Sequence, residues 1–358
     1  MKLTKKILAV VLSVLFVVGV FAGCSANNAD DKGEKTKSSA TSDMKVGFIF
    51  LHDENSTYDK NFITAADEAC KTLGIADENK IYKTNVPEGQ ECAEAAEDLV
   101  DKGCSIIFAD SFGHEPYIIE VAKKYPDVQF CHSTGTRAHT EGVPNYHNAF
   151  ASIYEGRYLA GVAAAKTTKT KIVGFVGGME GEVISRFEKG FEAGVKSVDK
   201  SIKVQVDYAG SFSDAAKGKT IAATQYAGGA DIIYQAAGGT GAGVFSEAKS
   251  LNEEKKEADK VWVLGVDRDQ KGEGNYTSKD GKKSNFVLAS TTKGVGEAVQ
   301  NISKETAAGK FPGGKHVVYG IKEGAVGLVN DNLSDDAQKA VDQAYDDIKS
   351  GKITVPEK

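Results

Sequence analysis

Lys171-Ile-Val-Gly-Phe-Val-Gly-Gly178 is the first of three short, largely apolar runs that decide the fold. The other two lie at 230–234 and 261–266, and each run gives way within a few residues to Gly, Ala or Asp. Segments with helical character lie between the runs. The repeated order of strand, loop and helix predicts a parallel sheet with a ligand groove at the carboxyl ends of its strands.

The same alternation precedes and follows this segment. The apolar runs predicted to be strands outside it lie at 45–51, 81–82, 105–109, 128–131 and 286–289, and the residues at 315–329 are expected to form two short paired strands. Helical spacing of apolar residues marks the intervening segments and a terminal helix. We therefore predict an α/β protein with two Rossmann-like (flavodoxin-like) lobes joined by a hinge.

The composition changes along the chain predict five parts. They are a signal peptide at 1–23, a flexible tether at 24–43, an N-terminal lobe at 44–150 plus about 285–310, a C-terminal lobe at 151–284 plus about 311–334, and a terminal helix within 335–358. The tether is assigned because residues 25–43 contain no large apolar side chain and so cannot bury enough surface to fold.

The amino terminus has the pattern of an export signal. Three lysines lie among the first six residues, and an apolar run follows at 7–21. A run of about fifteen residues is short for a membrane-spanning helix and typical of a signal peptide. Small residues directly before Cys24 resemble the lipobox of bacterial lipoproteins, which predicts lipidation of Cys24 and anchoring on the extracytoplasmic face of the cell membrane. The alternative is an ordinary secretory peptide with an incidental cysteine.

Charge and cysteine content exclude several classes of protein. The formal net charge of −6 argues against nucleic acid or anionic lipid as the main partner. The other cysteines form no Cys-x-x-Cys pair and fit no zinc spacing, so we predict neither metal nor cofactor. Buried free thiols are favoured, and a disulfide stays open for an exported domain, among Cys70, Cys92, Cys104 and Cys131.

Candidate ligand-binding residues lie where predicted strands end. They are Asp53, Asn55, Tyr58, Asp110 and Ser111 in the first lobe, Phe187, Phe212, Gly238, Gly239 and Asp267 in the second, and Lys293 where the chain returns to the first lobe. Aromatic faces suit a flat ring, and carboxylates accept paired hydrogen bonds from vicinal hydroxyls. A nucleoside needs both, whereas a free sugar needs mainly the carboxylates. Some of these residues have structural alternatives, since Phe187 fits a core position and Asp267 a helix cap.

Catalytic motifs are not found in the sequence. There is no Gly-x-Ser-x-Gly or His-Glu-x-x-His pattern. The run at 239–243 has its third glycine one residue too early for a dinucleotide fingerprint, so a tight turn or close approach to a small ligand fits better. A nucleoside hydrolase would need a compact cluster of aspartates near the first strand, which the loop at 53–59 does not have. We therefore predict a binding protein rather than an enzyme.

Several distinctive motifs are spaced along the chain. They are Lys171-Ile-Val-Gly-Phe-Val-Gly-Gly-Met179, Arg186-Phe187, Gly190-Phe-Glu-Ala-Gly194, Gly210-Ser-Phe-Ser-Asp214, Ala236-Ala-Gly-Gly-Thr-Gly241 and Gly265-Val-Asp-Arg-Asp-Gln270. Together they resemble the basic membrane protein family of substrate-binding lipoproteins. The resemblance extends over 45–330. It implies the architecture of type I periplasmic binding proteins, a nucleoside, in the first instance a purine nucleoside, as ligand, and an ABC importer permease as partner. A monomer is the expected state for this class.

The resemblance also implies roles for individual residues. Tyr58 would stack on the base where the family usually has Phe, and Asn55 would replace an Asp that touches the base. Either Phe187 or Phe212 would cover the opposite face. Asp267 and Lys293 would hold the ribose hydroxyls, while Gly238 and its neighbours would admit the ligand to backbone amides. The first loop departs from the family's Asp-Lys-Ser-Phe-Asn run, so the preference for one base over another stays open. The alternative functions are a receptor for a ribose-like sugar and a surface sensor or adhesin.

Overall fold

Two six-stranded sheets form the centres of two α/β lobes in the computed structural model, which describes residues 41–135, 140 and 142–356. The predicted signal peptide, Cys24 and nearly all of the predicted tether lie outside these residues. No helix in the described ranges is long and apolar enough to span a bilayer.

The first sheet is entirely parallel, in the order β13-β5-β4-β3-β1-β2. Its strands are β1 (Val46–Ile49), β2 (Lys80–Lys83), β3 (Ile106–Ala109), β4 (Gln129–His132), β5 (Tyr146–Ala151) and β13 (Lys315–Tyr319). The helices of this lobe are α1 (Thr57–Leu73), α2 (Gln90–Asp101), α3 (Glu115–Lys124) and α8 (Gly296–Ala307). Strands β1 and β3 are buried throughout, because helices cover both faces of the sheet.

The second sheet has the order β14-β12-β9-β8-β6-β7 and is parallel except for β14, which runs antiparallel to β12. Its strands are β6 (Ile172–Gly177), β7 (Lys203–Tyr208), β8 (Ile232–Ala236), β9 (Trp262–Gly265), β12 (Val287–Lys293) and β14 (Val326–Asn330). The helices of this lobe are α4 (Ile153–Thr167), α5 (Glu182–Val198), α6 (Ala215–Ala227), α7 (Gly241–Glu254) and α9 (Asp335–Lys349). The three runs quoted first thus lie in β6, β8 and β9, as predicted.

The chain crosses between the lobes three times, after β5, after β12 and after β13. This differs from the predicted division, because β12 belongs to the second sheet and β13 to the first. The two strands predicted to pair within 315–329 also lie in different sheets. The reason is physical: an apolar run indicates that a strand forms, but its partner depends on where the crossover places it.

Strand β5 was missed because polar residues interrupt its pattern. His147 and Asn148 lie in its centre, yet every residue of the strand is buried. The Nδ1 atom of His147 lies 3.1 Å from the carbonyl oxygen of Pro312, and the amide of Asn148 lies 2.7 Å from the Nδ1 atom of His316. These hydrogen bonds compensate part of the cost of burying polar groups in a central strand, while the Nε2 atom of His147 has no partner among the described residues.

A hairpin, β10 (Asn275–Thr277) with β11 (Lys283–Asn285), connects β9 to β12. A helix is the usual connection between parallel neighbours. Here a hairpin takes the place of the helix, and its Tyr276 packs with a ring centroid 5.8 Å from that of Phe286. The polar segment at 271–284 therefore belongs to the second lobe.

Glycines let α4 and α5 pack backbone to backbone. A Cβ atom on Gly161 would lie 2.2 Å from the carbonyl oxygen of Phe191, and one on Gly194 would lie 2.0 Å from that of Tyr158. A Cβ on Gly190 would meet the same helix at 2.4 Å. The small residues of α4 and α5 thus allow the two helix backbones to approach closely.

The four cysteines in the described residues are buried free thiols. Burial raises the pKa of the thiols of Cys92 and Cys131 to about 12. Both are therefore unreactive core residues at neutral pH. This agrees with the favoured interpretation and not with the disulfide that stayed open.

Candidate functional site

The lobes meet at the carboxyl ends of their strands. Helix α1 of the first lobe approaches the turn Gly238–Thr240 of the second. The side-chain amide of Asn61 in α1 donates a hydrogen bond of 3.1 Å to the carbonyl of Lys293, at the second crossing. Candidate residues from both lobes are therefore close to one another and to the hinge.

Lys293 lies at the centre of this region, with only 3% of its surface exposed. Its ammonium lies 5.2 Å from the ring centroid of Tyr58 and 4.6 Å from that of Phe62, which are cation–π distances. Among the residues described, none accepts a hydrogen bond from its Nζ atom. Burial lowers the pKa of Lys293 to about 8, although Asp267 opposes the shift. Lys293 thus offers unused donors to a ligand.

Asp267 faces the same region from the loop after β9 and is 7% exposed. Its backbone has φ = 66°, a left-handed conformation that Asp and Asn tolerate better than most residues. The backbone N–H of Lys293 donates to its carbonyl at 3.1 Å. Carboxylate oxygen Oδ1 accepts a 2.9 Å hydrogen bond from Arg157. The structure therefore connects Asp267 and Lys293 directly by a backbone hydrogen bond. Both residues were predicted to hold the ribose hydroxyls.

Arg157 was not among the predicted site residues. It lies in the first turns of α4 and is fully buried. Its guanidinium pairs with Asp267 and lies 4.4 Å from the ring centroid of Phe187. A signal existed in the sequence, since Arg157 is the only basic residue before Lys166 in a helix rich in glycine and alanine. A fully buried arginine needs a buried partner.

Tyr58 and Asp110 form the first-lobe side. The hydroxyl of Tyr58 donates a 2.7 Å hydrogen bond to the carbonyl of Asp110. The Oδ1 atom of the buried Asp110 carboxyl accepts from the backbone of Leu51 at 3.2 Å, while Oδ2 has no partner among the described residues. Burial, and secondarily the neighbouring Asp59, raises the pKa of Asp110 well above its usual value. A protonated carboxyl can both donate and accept a hydrogen bond.

Asp59 is a further buried acid beside the first-lobe candidates Tyr58 and Asp110. It is fully buried in the first turn of α1, and its carboxylate accepts from the backbone N–H of His52 at 2.9 Å and lies 3.1 Å from the His52 ring. Asp53 and Asn55 lie farther out: the Asp53 carboxylate accepts two 2.9 Å hydrogen bonds from exposed Asn55, which lower the pKa of Asp53. These contacts close the loop as an Asx turn.

Ser111 is buried and lies in the loop that follows β3. Its hydroxyl donates to Glu88, and its carbonyl oxygen lies 2.7 Å from the Nε2 atom of His132. Burial lowers the pKa of His132 to about 3, so that ring is neutral. The structure therefore engages Ser111 in intramolecular hydrogen bonds.

The two candidate phenylalanines occupy different environments. Phe187 is buried beneath Arg157, whereas Phe212 is half-buried. A Cβ atom on Gly178 would lie 2.2 Å from the Phe212 ring, so this glycine gives the ring its space. Gly238, with φ = 54°, and Gly239 lie against the Phe212 backbone. Phe212 and the 238–240 turn thus form one surface of the second lobe.

Together these residues form an aromatic and polar region with cations and a carboxylate at the hinge. In the part of the chain that the structure describes, no group of three or more His, Cys, Asp or Glu is arranged to hold a metal ion. The arrangement offers hydrogen-bond donors, hydrogen-bond acceptors and aromatic faces. Those are the groups that recognise a small polar ligand.

Two α/β lobes, three crossings and a polar region between strand ends are the architecture of type I periplasmic binding proteins. The ABC transporter system solute-binding protein of Aeropyrum pernix K1 has this fold, with a TM-score of 0.72 at 22% identity, covering 88% of this chain and 94% of that one. At this identity the likeness shows the fold alone.

The chain belongs to the Bmp family, described as PnrA-like ABC transporter substrate-binding proteins, whose model matches residues 46–358. It is 44% identical over 360 residues to the ABC transporter nucleoside-binding protein BmpA of Lactococcus lactis subsp. cremoris (strain MG1363), covering 99% of both. It is 38% identical over 361 residues to the CD4+ T-cell-stimulating antigen of Listeria monocytogenes serovar 1/2a (strain ATCC BAA-679 / EGD-e), again covering 99% of both. The family resemblance drawn from the motifs is confirmed.

Proposed function

We propose that this protein binds a nucleoside, in the first instance a purine nucleoside, between its lobes. The observation that carries the proposal is the buried Lys293, without a hydrogen-bond partner among the described residues, between Asp267 and the rings of Tyr58 and Phe62. A carboxylate beside an ammonium suits vicinal hydroxyls, and aromatic rings suit a base. The name of the Lactococcus relative supports the same ligand class.

The ligand would contact both lobes. Asp267 and Lys293 would hold the ribose, and Tyr58 with the half-buried Phe212 would contact the base. Asp110, whose Oδ2 atom has no partner among the described residues, would form a hydrogen bond with the edge of the base. A ligand that contacts both lobes favours their closed arrangement by its differential affinity for that state.

The remaining parts of the proposal concern location and partners. Lipidation at Cys24 would anchor the protein on the extracytoplasmic face of the cell membrane, and the tether would give the lobes reach. The bound nucleoside would pass to the permease of an ABC importer, in keeping with the family. The receptor would act as a monomer and release its nucleoside chemically unchanged.

Thermal unfolding of the purified protein with nucleosides, free bases and pentoses tests the proposal. A ligand at about one hundred times its dissociation constant adds about 2.7 kcal/mol to the free energy of unfolding. We expect inosine, guanosine or adenosine to raise the midpoint and ribose to leave it unchanged. A shift with ribose alone would instead identify a sugar receptor, and no shift with any compound would favour a sensor or adhesin. Recovery of free base after incubation would indicate a hydrolase.

Nucleoside affinity is expected to fall as pH rises through about 8, because the Lys293 ammonium that donates to the ligand is lost there. Above that pH, binding must include uptake of a proton, so affinity should be about tenfold weaker at pH 9 than at pH 7. Isothermal titration at both values measures the change. Lys293→Gln is the control, since it keeps donors but does not titrate, and its affinity should not change over this range. An equal slope in the variant would assign the pH dependence to another group.

A further inference from the structure

We infer that Arg157 is the positioning residue of the second-lobe half of the site, fixing the Asp267 carboxylate and the Phe187 ring together. The inference rests on the proposed function, because the role of Asp267 toward a ribose is part of it. Arg157 is fully buried: its Nη2 atom donates to Asp267, and its Nε and Nη1 atoms have no acceptor among the described residues. It acts through the residues that it holds.

Three segments that are distant in sequence converge on this one guanidinium. Arg157 lies shortly after the first crossing, Phe187 lies on α5, and Asp267 follows β9. Nη2 donates to Oδ1 of Asp267 at 2.9 Å, and the Cζ atom lies 4.4 Å from the Phe187 ring centroid. A flat, delocalised cation can donate in its plane while stacking on an aromatic face, which an ammonium on a flexible chain cannot do.

The pairing decides which carboxylate oxygen is available to a ligand. Oδ1 of Asp267 is held by Arg157, whereas Oδ2 accepts no hydrogen bond from any residue that the structure describes. The carboxylate therefore cannot rotate freely, and Oδ2 is left for a ligand hydroxyl. Arg157 also compensates the charge of a nearly buried carboxylate, which would otherwise be costly to desolvate.

A double-mutant cycle on nucleoside affinity tests the role. Arg157→Met, Asp267→Asn and the double variant are titrated with the nucleoside that the ligand panel identifies and with its 2′-deoxy and 3′-deoxy forms. Arg157→Met should weaken binding about tenfold in the wild-type background and change it little in the Asp267→Asn background, as for directly contacting pairs. It should also reduce the preference for the ribonucleoside over the deoxy forms, which a purely structural change would leave intact.

Two controls complete the design. Lys189→Met removes a half-exposed cation on α5, and its effect should simply add to that of Arg157→Met. Arg157→Lys keeps the charge but not the flat stacking group, so it should still lose several-fold in affinity, and it replaces Arg157→Met if that variant does not fold. Additive effects of Arg157→Met and Asp267→Asn, or an Arg157→Lys protein with full affinity and full hydroxyl preference, would overturn the inference. Failure of the wild-type protein to bind any nucleoside would instead refute the proposed function, and with it this role.

Discussion

Asp267→Asn is expected to weaken nucleoside binding by roughly a hundredfold, equivalent to about 3 kcal/mol, because the charged acceptor of the ribose hydroxyls is lost. Asn is the informative substitution here. It tolerates the left-handed backbone at φ = 66°, so the loop should keep its conformation while the charge disappears. Isothermal titration measures the loss. Asp269→Asn, on an exposed residue two positions along the same loop, should leave affinity unchanged.

The same substitution has a second consequence, because it leaves the buried Arg157 without its counterion. Loss of one partner of a buried pair is strongly destabilising, so Asp267→Asn should also lower the unfolding temperature. Adding Arg157→Met should recover much of that stability without restoring affinity, since the unpaired charge is then gone. If Asp267→Asn bound the nucleoside within about threefold of the wild-type affinity, the hydrogen bonds to a charged group that we assign to the ribose would not exist.

The repeated strand and helix pattern predicts the fold class well, because local periodicity reflects burial. It does not predict which sheet receives a strand near a crossing. Strand β12 ends at the hinge and β13 begins beyond α8, and both are short strands that mix apolar with polar residues. Their membership depends on the path of the chain through the hinge, which is a property of the tertiary structure.

The site shows the same division between local and tertiary information. Strand ends are visible in a sequence, and so Asp267 and Lys293 were predicted and do lie together. Arg157 and Asp59 lie on helices, where a charged residue ordinarily faces solvent. Only the packing shows that both are fully buried. The one sequence signal for Arg157 is that it stands alone as a basic residue before Lys166 in a helix rich in glycine and alanine.

Gly194→Ala is expected to destabilise the second lobe by about 3 kcal/mol, at the upper end of what overpacking costs. The added Cβ would lie 2.0 Å from the carbonyl oxygen of Tyr158. The Cβ is fixed directly to the backbone of α5 and the oxygen is part of the backbone of α4, so no side-chain rotation can relieve the clash. The helices α4 and α5 must therefore separate. Thermal unfolding should show a midpoint lower by roughly 6 °C. Gly272→Ala is the matched control, because a Cβ there meets nothing within 4 Å.

Separation of α4 and α5 should also disturb the candidate binding site. Helix α4 carries Arg157 and α5 carries Phe187, and the 4.4 Å contact between them is set by the glycine packing along the same two helices. Gly194→Ala should therefore weaken nucleoside binding at temperatures where the variant is still folded, although Gly194 touches no candidate ligand contact. Equal unfolding midpoints for Gly194→Ala and Gly272→Ala would show that the helices can move apart at no cost. The glycines would then have no part in holding Arg157 against Phe187.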